Sequence, residues 1–171
     1  QYRQLLETEH SVHIFARGGE REAVGDPEWD GSRVTWGKDS GNPLAKGLDL
    51  EQFQRWIDSN DLDLVFFNEQ RWWEPVLLAN RLGVKTGAYV DYYTAETVPL
   101  FGCYDLLVCN TRRHWSMFDW HPGSHYVPWG TDLSLFKPVA HSPIEPGSVT
   151  FFHSAGYNPT RKGTDLVLQA F

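Results

Sequence analysis

Asp63-Leu-Val-Phe-Phe-Asn-Glu-Gln-Arg71 is an apolar run that breaks abruptly into a polar cluster, and the pattern returns twice. Lys85-Thr-Gly-Ala-Tyr-Val90 gives way to Asp91-Tyr-Tyr-Thr94, and Asp105-Leu-Leu-Val-Cys109 to Asn110-Thr111. A nearly continuous apolar run such as 63–67 indicates a strand covered on both faces. The intervening stretches carry helix signals. Pro75 suits a first turn, Val76, Leu77, Ala79 and Leu82 keep an apolar stripe, and Gly83 marks the stop. Strands separated by single helices pair in parallel through right-handed crossovers, so the expected fold is α/β, built on a parallel sheet. Ligands of open sheets of this kind collect beyond the carboxyl ends of the strands. The polar tails after residues 67, 90 and 109 are therefore the candidate site.

On the amino-terminal side, Ser11-Val-His-Ile-Phe-Ala16 and Arg33-Val-Thr-Trp36 read as two earlier strands joined by a Gly-, Asp- and Pro-rich loop, with another loop over 37–48. Asp49 stands where a helix N-cap belongs, with Gln52 three residues on as in a capping box. Leu50, Phe53, Trp56 and Ile57 then give that helix one apolar face. On the other side a short helix is expected near 96–103. Asn110 and Thr111 cap a helix through Trp115 and Phe118, and Ser124-His-Tyr-Val127 is a last strand. The chain opens on a helical pattern, Tyr2 to Glu7, so a first strand and its Gly-rich turn are expected upstream of it.

Composition narrows the function classes. The 171 residues suffice for one well-buried core and a fragment, and 41% hydrophobic with 22% charged residues is ordinary for a soluble globular protein. A net charge of −7 with no basic run argues against nucleic acid as a partner. No apolar stretch approaches the ~20 residues of a membrane span. The first residues lack the apolar segment of a signal peptide. The expected setting is cytoplasmic, with membrane contact at most peripheral. Cys103 and Cys109 match no zinc or redox spacing and read as reduced, mostly buried thiols. Eight tryptophans either fill the core or line a sugar-binding cleft, since aromatic faces pack well on pyranose C–H surfaces.

Two further segments carry a resemblance. Val127-Pro-Trp-Gly-Thr-Asp-Leu-Ser-Leu-Phe-Lys-Pro138 is similar to the Asn-Gly-Val-Asp…Phe-x-Pro segment that closes the N-terminal domain of GT-B glycosyltransferases of the GT4 family. Phe151-Phe-His-Ser-Ala-Gly-Tyr-Asn-Pro-Thr-Arg-Lys-Gly-Thr-Asp-Leu-Val-Leu-Gln-Ala-Phe171 resembles the Gly-Arg…Lys-Gly-x-Asp…Ala-Phe opening of that family's C-terminal domain. The resemblance implies an acceptor-side Rossmann-like domain over 1–138, a linker over 139–148, and the start of a nucleotide-sugar-binding domain over 149–171. Its first strand would be Val149–Ala155. It also implies a retaining, metal-independent transfer from a nucleoside-diphosphate sugar, with no cofactor, to a glycan, lipid-linked or small-molecule acceptor. The family's Glu-x7-Glu element does not occur after these motifs, so residues 1–171 alone are expected to be inactive.

Departure of a nucleoside diphosphate builds negative charge that a fixed cation and backbone N–H groups stabilise. Lys162 matches the family's diphosphate lysine, beside Gly156 and a helix that Thr164 would cap. Where the family places an arginine after the glycine, Tyr157 stands here, and Arg161 either replaces that cation or is a surface residue. Arg161 directly before Lys162 also rules out a Walker A lysine, which glycine precedes. Asp91 ends a strand where relatives carry a histidine. It either orients a hydroxyl or accepts its proton, as the catalytic candidate, or simply caps a turn. Asn68 and Glu69 are either acceptor contacts or turn residues. Trp72, Trp73 and Tyr92 either wall the cleft or pack locally. His114 and His121 lack metal-like company and read as structural. Asp132 reads as the cap of the turn after Gly130, with Phe136 as an apolar anchor. Two other readings stay open: an epimerase or hydrolase acting on nucleotide sugars, and a non-catalytic module binding a glycan or protein.

Overall fold

The computed structural model describes residues 6–17, 22–27, 29–38, 48–68, 72–138, 147–155 and 158–170. The chain divides into two units, Gln1–Trp129 and Gly130–Phe171. In the first, β1 (Ile14–Ala16), β2 (Val34–Trp36), α1 (Leu50–Asn60), β3 (Leu64–Asn68), α2 (Glu74–Arg81) and β4 (Lys85–Val90) follow in order. A 3-10 helix (Val98–Cys103), β5 (Leu106–Cys109), α3 (Arg112–Met117) and β6 (Ser124–Tyr126) complete it. The opening helix expected from Tyr2 falls largely outside the described residues.

Strands β3-β4-β5-β6 form one all-parallel sheet in sequence order, a Rossmann-like α/β arrangement. The single sheet expected from the pattern is in fact two, because β1 and β2 pair in parallel only with each other among the described residues. That pair is held by its loop. Asp30 accepts from the indole of Trp36 at 2.8 Å and from the N–H groups of Gly25 and Gly31 at 2.7 and 2.8 Å. The Trp36 bond, then the two backbone N–H groups, lower its pKa. Phe15 of β1 reaches the core edge-on, 5.4 Å from both Phe53 and Trp56 of α1.

The helices start and stop for local reasons. Asp49 caps α1 by accepting from the Gln52 N–H at 2.9 Å. The expected box is only half made, because the Gln52 side chain accepts instead from Lys38 N–H at 2.7 Å. Phe53, Trp56 and Ile57 are buried as the spacing implied. Pro75 opens α2, and Gly83 at φ +78° ends it in a Schellman motif, with Gly83 N–H on Asn80 O and Val84 N–H on Ala79 O.

One face of the sheet is core: Val65, Phe67, Val90, Leu107 and Cys109 are buried there with Val76 of α2. Removing a side chain such as Leu107 to alanine costs about 2–5 kcal/mol in sites of this kind. The other face corrects a reading. β3 alternates exposed and buried, with Leu64 and Phe66 open, so it is not covered on both sides. A strand's apolar content does not say how many layers pack on it; that depends on where the helices lie. Phe66 leans across Gly87, where a Cβ would sit 2.9 Å from its ring. Cys109 is buried, but Cys103 is only half-buried, and both are free thiols whose pKa burial raises.

In the second unit α4 spans Thr164–Ala170. Val149–Ala155 forms no strand, and Phe152 is 93% exposed. A strand requires a ladder partner for its backbone groups, and no sheet among the described residues includes this run. Asp132 does cap its turn, accepting from Ser134 N–H at 2.8 Å and Ser134 O–H at 2.6 Å. Phe136, at 66% exposure, is not the anchor expected.

Two tests follow from the β4–β5 edge. The Asp105 carboxylate accepts from Lys85 Nζ and Thr86 N–H, each at 2.9 Å, and these bonds lower its pKa. A depressed carboxylate stabilises the fold fully above the ordinary aspartate pKa and loses that contribution as pH falls through the lowered value. Asp105→Ala leaves the Thr86 N–H, in a fully buried residue, unsatisfied. It is expected to lose about 1–3 kcal/mol in urea melts at neutral pH, a gap that narrows on acidification. Gly123 is the second: a Cβ there meets the Asp105 carbonyl oxygen at 2.1 Å. Gly123→Ala should destabilise by about 1–3 kcal/mol or more, read as a lower urea midpoint with unchanged slope.

Candidate functional site at the carboxyl ends of the strands

Parallel pairing puts the last residues of β3, β4 and β5 along one edge. Asn68 lies in register with Tyr89, and Tyr89 with Val108, so these side chains project from the same face. Val90 lies in register with Cys109, which sets the following residues, Asp91 and Asn110, side by side along the chain direction. The three polar tails expected from the sequence thus meet at one edge as far as the described residues extend. Glu69 lies outside them.

The most organised part of this edge is a polar chain. Asn110 donates from Nδ2 to the hydroxyl of Tyr89 in a short hydrogen bond. Its Oδ1 receives His114 Nδ1 at 2.9 Å. A carboxamide oxygen only accepts, so Nδ1 carries the proton and the neutral ring keeps Nε2 as an acceptor. His114 is held from a second side by Tyr93, edge-on at 5.4 Å, and Tyr93 is clamped by Phe118 at 5.1 Å. Tyr89 is buried, and its ring lies 5.3 Å from that of Trp129, which is 60% exposed. Of the two arginines that open α3, Arg112 lies over the Tyr126 ring at 5.2 Å and Arg113 is exposed.

These facts revise the roles of two residues. Thr111 alone caps α3, accepting from His114 N–H at 3.0 Å, so Asn110 is not a cap and its amide serves the network. His114 is more than filler. The signal was present as an Asn/His pair four apart straddling a strand end, but only the fold shows that Tyr89 closes the chain. His121 is structural as expected: it is buried, accepts from Gly123 N–H at 3.0 Å on Nδ1, and bonds Tyr104 O at 2.9 Å through Nε2.

The remaining candidates divide sharply. Asp91 and Tyr92 are exposed at the end of β4, and Asn68 is exposed at the end of β3. Trp72 is partly buried and packs on the core, and Trp73 sits edge-on to Phe101 at 5.2 Å. In the second unit Arg161 and Lys162 are exposed on the turn before α4. Arg161 N–H donates to Asn158 Oδ1 at 2.9 Å. Thr164 corrects an expectation. It is the first helical residue, and its hydroxyl pairs with His153 Nε2 at 2.9 Å, so it does not cap the helix. Gly163, at φ +68°, makes the turn into the helix instead. Gly156 lies outside the described residues.

Among the described residues no group of three or more His, Cys, Asp or Glu side chains converges as a metal site. No described helix is long and apolar enough to cross a membrane. No protein-family model, curated protein or solved structure matches the chain.

The network makes a direct spectroscopic prediction. Long-range 1H–15N spectra of the neutral chain should show His114 protonated at Nδ1. Tyr89→Phe should weaken that preference by freeing the Asn110 amide, whereas a dominant Nε2–H form in the wild type contradicts the network.

Proposed function

We propose that the chain is the acceptor-side portion, with the start of the donor-side portion, of a retaining GT4-type glycosyltransferase using a nucleoside-diphosphate sugar. The supporting observation is the presence in one chain of a parallel α/β sheet with a polar carboxyl edge and the two segments, 127–138 and 151–171, that resemble that family. In this reading Lys162 and Arg161, with the Gly156 turn and Thr164, face the donor diphosphate. Asn68, Glu69, Trp72 and Tyr92 face the acceptor, and Asp91 is the catalytic carboxylate.

The chemistry asks for charge compensation in two places. The acceptor oxygen bonds to the anomeric carbon on the same face from which the diphosphate leaves, as the carbon–oxygen bond to the diphosphate breaks, so the configuration is retained. The hydroxyl proton needs a base, which the exposed carboxylate of Asp91 supplies. The electron pair leaves on the diphosphate oxygen, where exposed cations on a turn are well suited to stabilise the negative charge. A cytoplasmic setting belongs to the proposal and is supported by two free thiols.

A second reading, a glycan-binding module without turnover, is favoured by the exposed aromatic rings of Tyr92 and Trp129 at the same edge. Calorimetric titration with UDP and GDP of a protein carrying the further donor-domain sequence separates the two. The transferase reading expects diphosphate-dependent heat that Lys162→Ala weakens about tenfold, equivalent to about 1.4 kcal/mol. No heat with either nucleotide, or heat indifferent to Lys162→Ala, sinks it. A protein carrying the further donor-domain sequence should form a new glycosidic linkage. Free sugar or an epimer in that assay indicates a hydrolase or an epimerase.

A further inference from the structure

We propose that His114 and Trp129, linked through Asn110 and Tyr89, form a subsite for an uncharged sugar ring. It rests on the function proposed above only in taking that sugar to be part of the acceptor.

Three features point to this ligand class. The first is a rigid hydroxyl reader. His114 is fixed by the Asn110 carboxamide at 2.9 Å and by the Tyr93 ring, and no hydrogen bond to Nε2 is made among the described residues. A neutral imidazole nitrogen held in this way accepts well from a sugar O–H. Its orienting amide is itself anchored on a buried tyrosine, so the reader is preorganised before any ligand arrives.

The second feature is an apolar platform at the other end of the same contact chain. Trp129 leaves 60% of its surface open while resting on Tyr89, so it can offer an indole surface to the C–H side of a pyranose. Trp129–Tyr89–Asn110–His114 is continuous, and one buried tyrosine and one asparagine separate platform from reader.

The third feature is charge. Every group in the chain is neutral when Nε2 is unprotonated, Arg112 is engaged over Tyr126, and the neighbouring tail contributes the carboxylate of Asp91. A phosphate or carboxylate ligand would meet no cation among those four residues and would face the carboxylate of Asp91, although Arg113 is exposed beside His114 on α3. A hydroxyl-rich ring can donate to both Nε2 and the carboxylate. The chemistry therefore selects a neutral polyol with one apolar face.

The test is a printed array of neutral and anionic glycans probed with the whole 171-residue chain. Binding to at least one neutral glycan is expected. Trp129→Ala and His114→Ala should each weaken it about tenfold or more. Trp129 is mostly exposed, so its variant should melt as the wild type does, and retained melting with lost binding assigns a ligand role. The inference is overturned if no neutral glycan is retained, if both alanine variants bind as wild type, or if only anionic glycans bind. Diphosphate binding without glycan binding sinks this inference and spares the transferase reading. Glycan binding without diphosphate heat does the reverse.

Discussion

Parallel strand pairing is the constraint on which the rest of the first unit depends. A parallel neighbour cannot be reached by a tight turn, so each strand must be followed by a crossover that returns the chain to its starting edge. Every strand of β3 to β6 therefore ends at the same edge, and every polar tail is delivered there. α1 and α2 and the 3-10 helix bury one face of the sheet, with Val90 and Leu107 fully enclosed. The site is a by-product of that topology: residues 21 apart in sequence, Tyr89 and Asn110, become hydrogen-bonded partners.

Aromatic residues serve two purposes in this frame, and position decides which. Phe53, Trp56, Phe67, Trp73, Phe101 and Tyr104 touch one another in stacked, edge-on and tilted pairs that fill the space between sheet and helices. Tyr89 sits at the boundary, its ring buried against Trp129 and its hydroxyl in a polar network. Trp129 lies beyond the last strand and stays open to solvent. Of the eight tryptophans only Trp56 is buried, Trp72 and Trp73 pack partly against the core, and Trp29, Trp115, Trp120 and Trp129 are exposed.

The two candidate regions differ in how strongly the fold specifies them. At the edge of β4 and β5, His114 is fixed by a hydrogen bond, a helix position and a ring contact, so its orientation is over-determined. On the turn before α4, Asn158 and Gly163 shape the backbone, but Arg161 and Lys162 extend into solvent. A reader of hydroxyl direction gains from rigidity, because hydrogen bonds are directional. A cation answering a diphosphate needs only proximity, because Coulomb attraction falls off slowly with distance and has no preferred angle.

Local chemistry was legible in the residues alone. Asp49, Pro75 and Gly83 mark helix ends through backbone rules that act within a few residues, and the apolar runs marked β3, β4 and β5. Other features needed the tertiary structure. Leu64 and Phe66 look like core residues in the sequence but are exposed, because covering depends on which helices cross which face. Val149–Ala155 has the composition of a strand, but composition cannot supply a pairing partner. Asn110 and Thr111 are both plausible caps; only the position of Tyr89 divides capping from network between them. Periodicity and turn chemistry operate over a single turn or a single strand and can be read along the chain. Burial, pairing and the convergence of side chains depend on distances between remote segments, which no local pattern encodes.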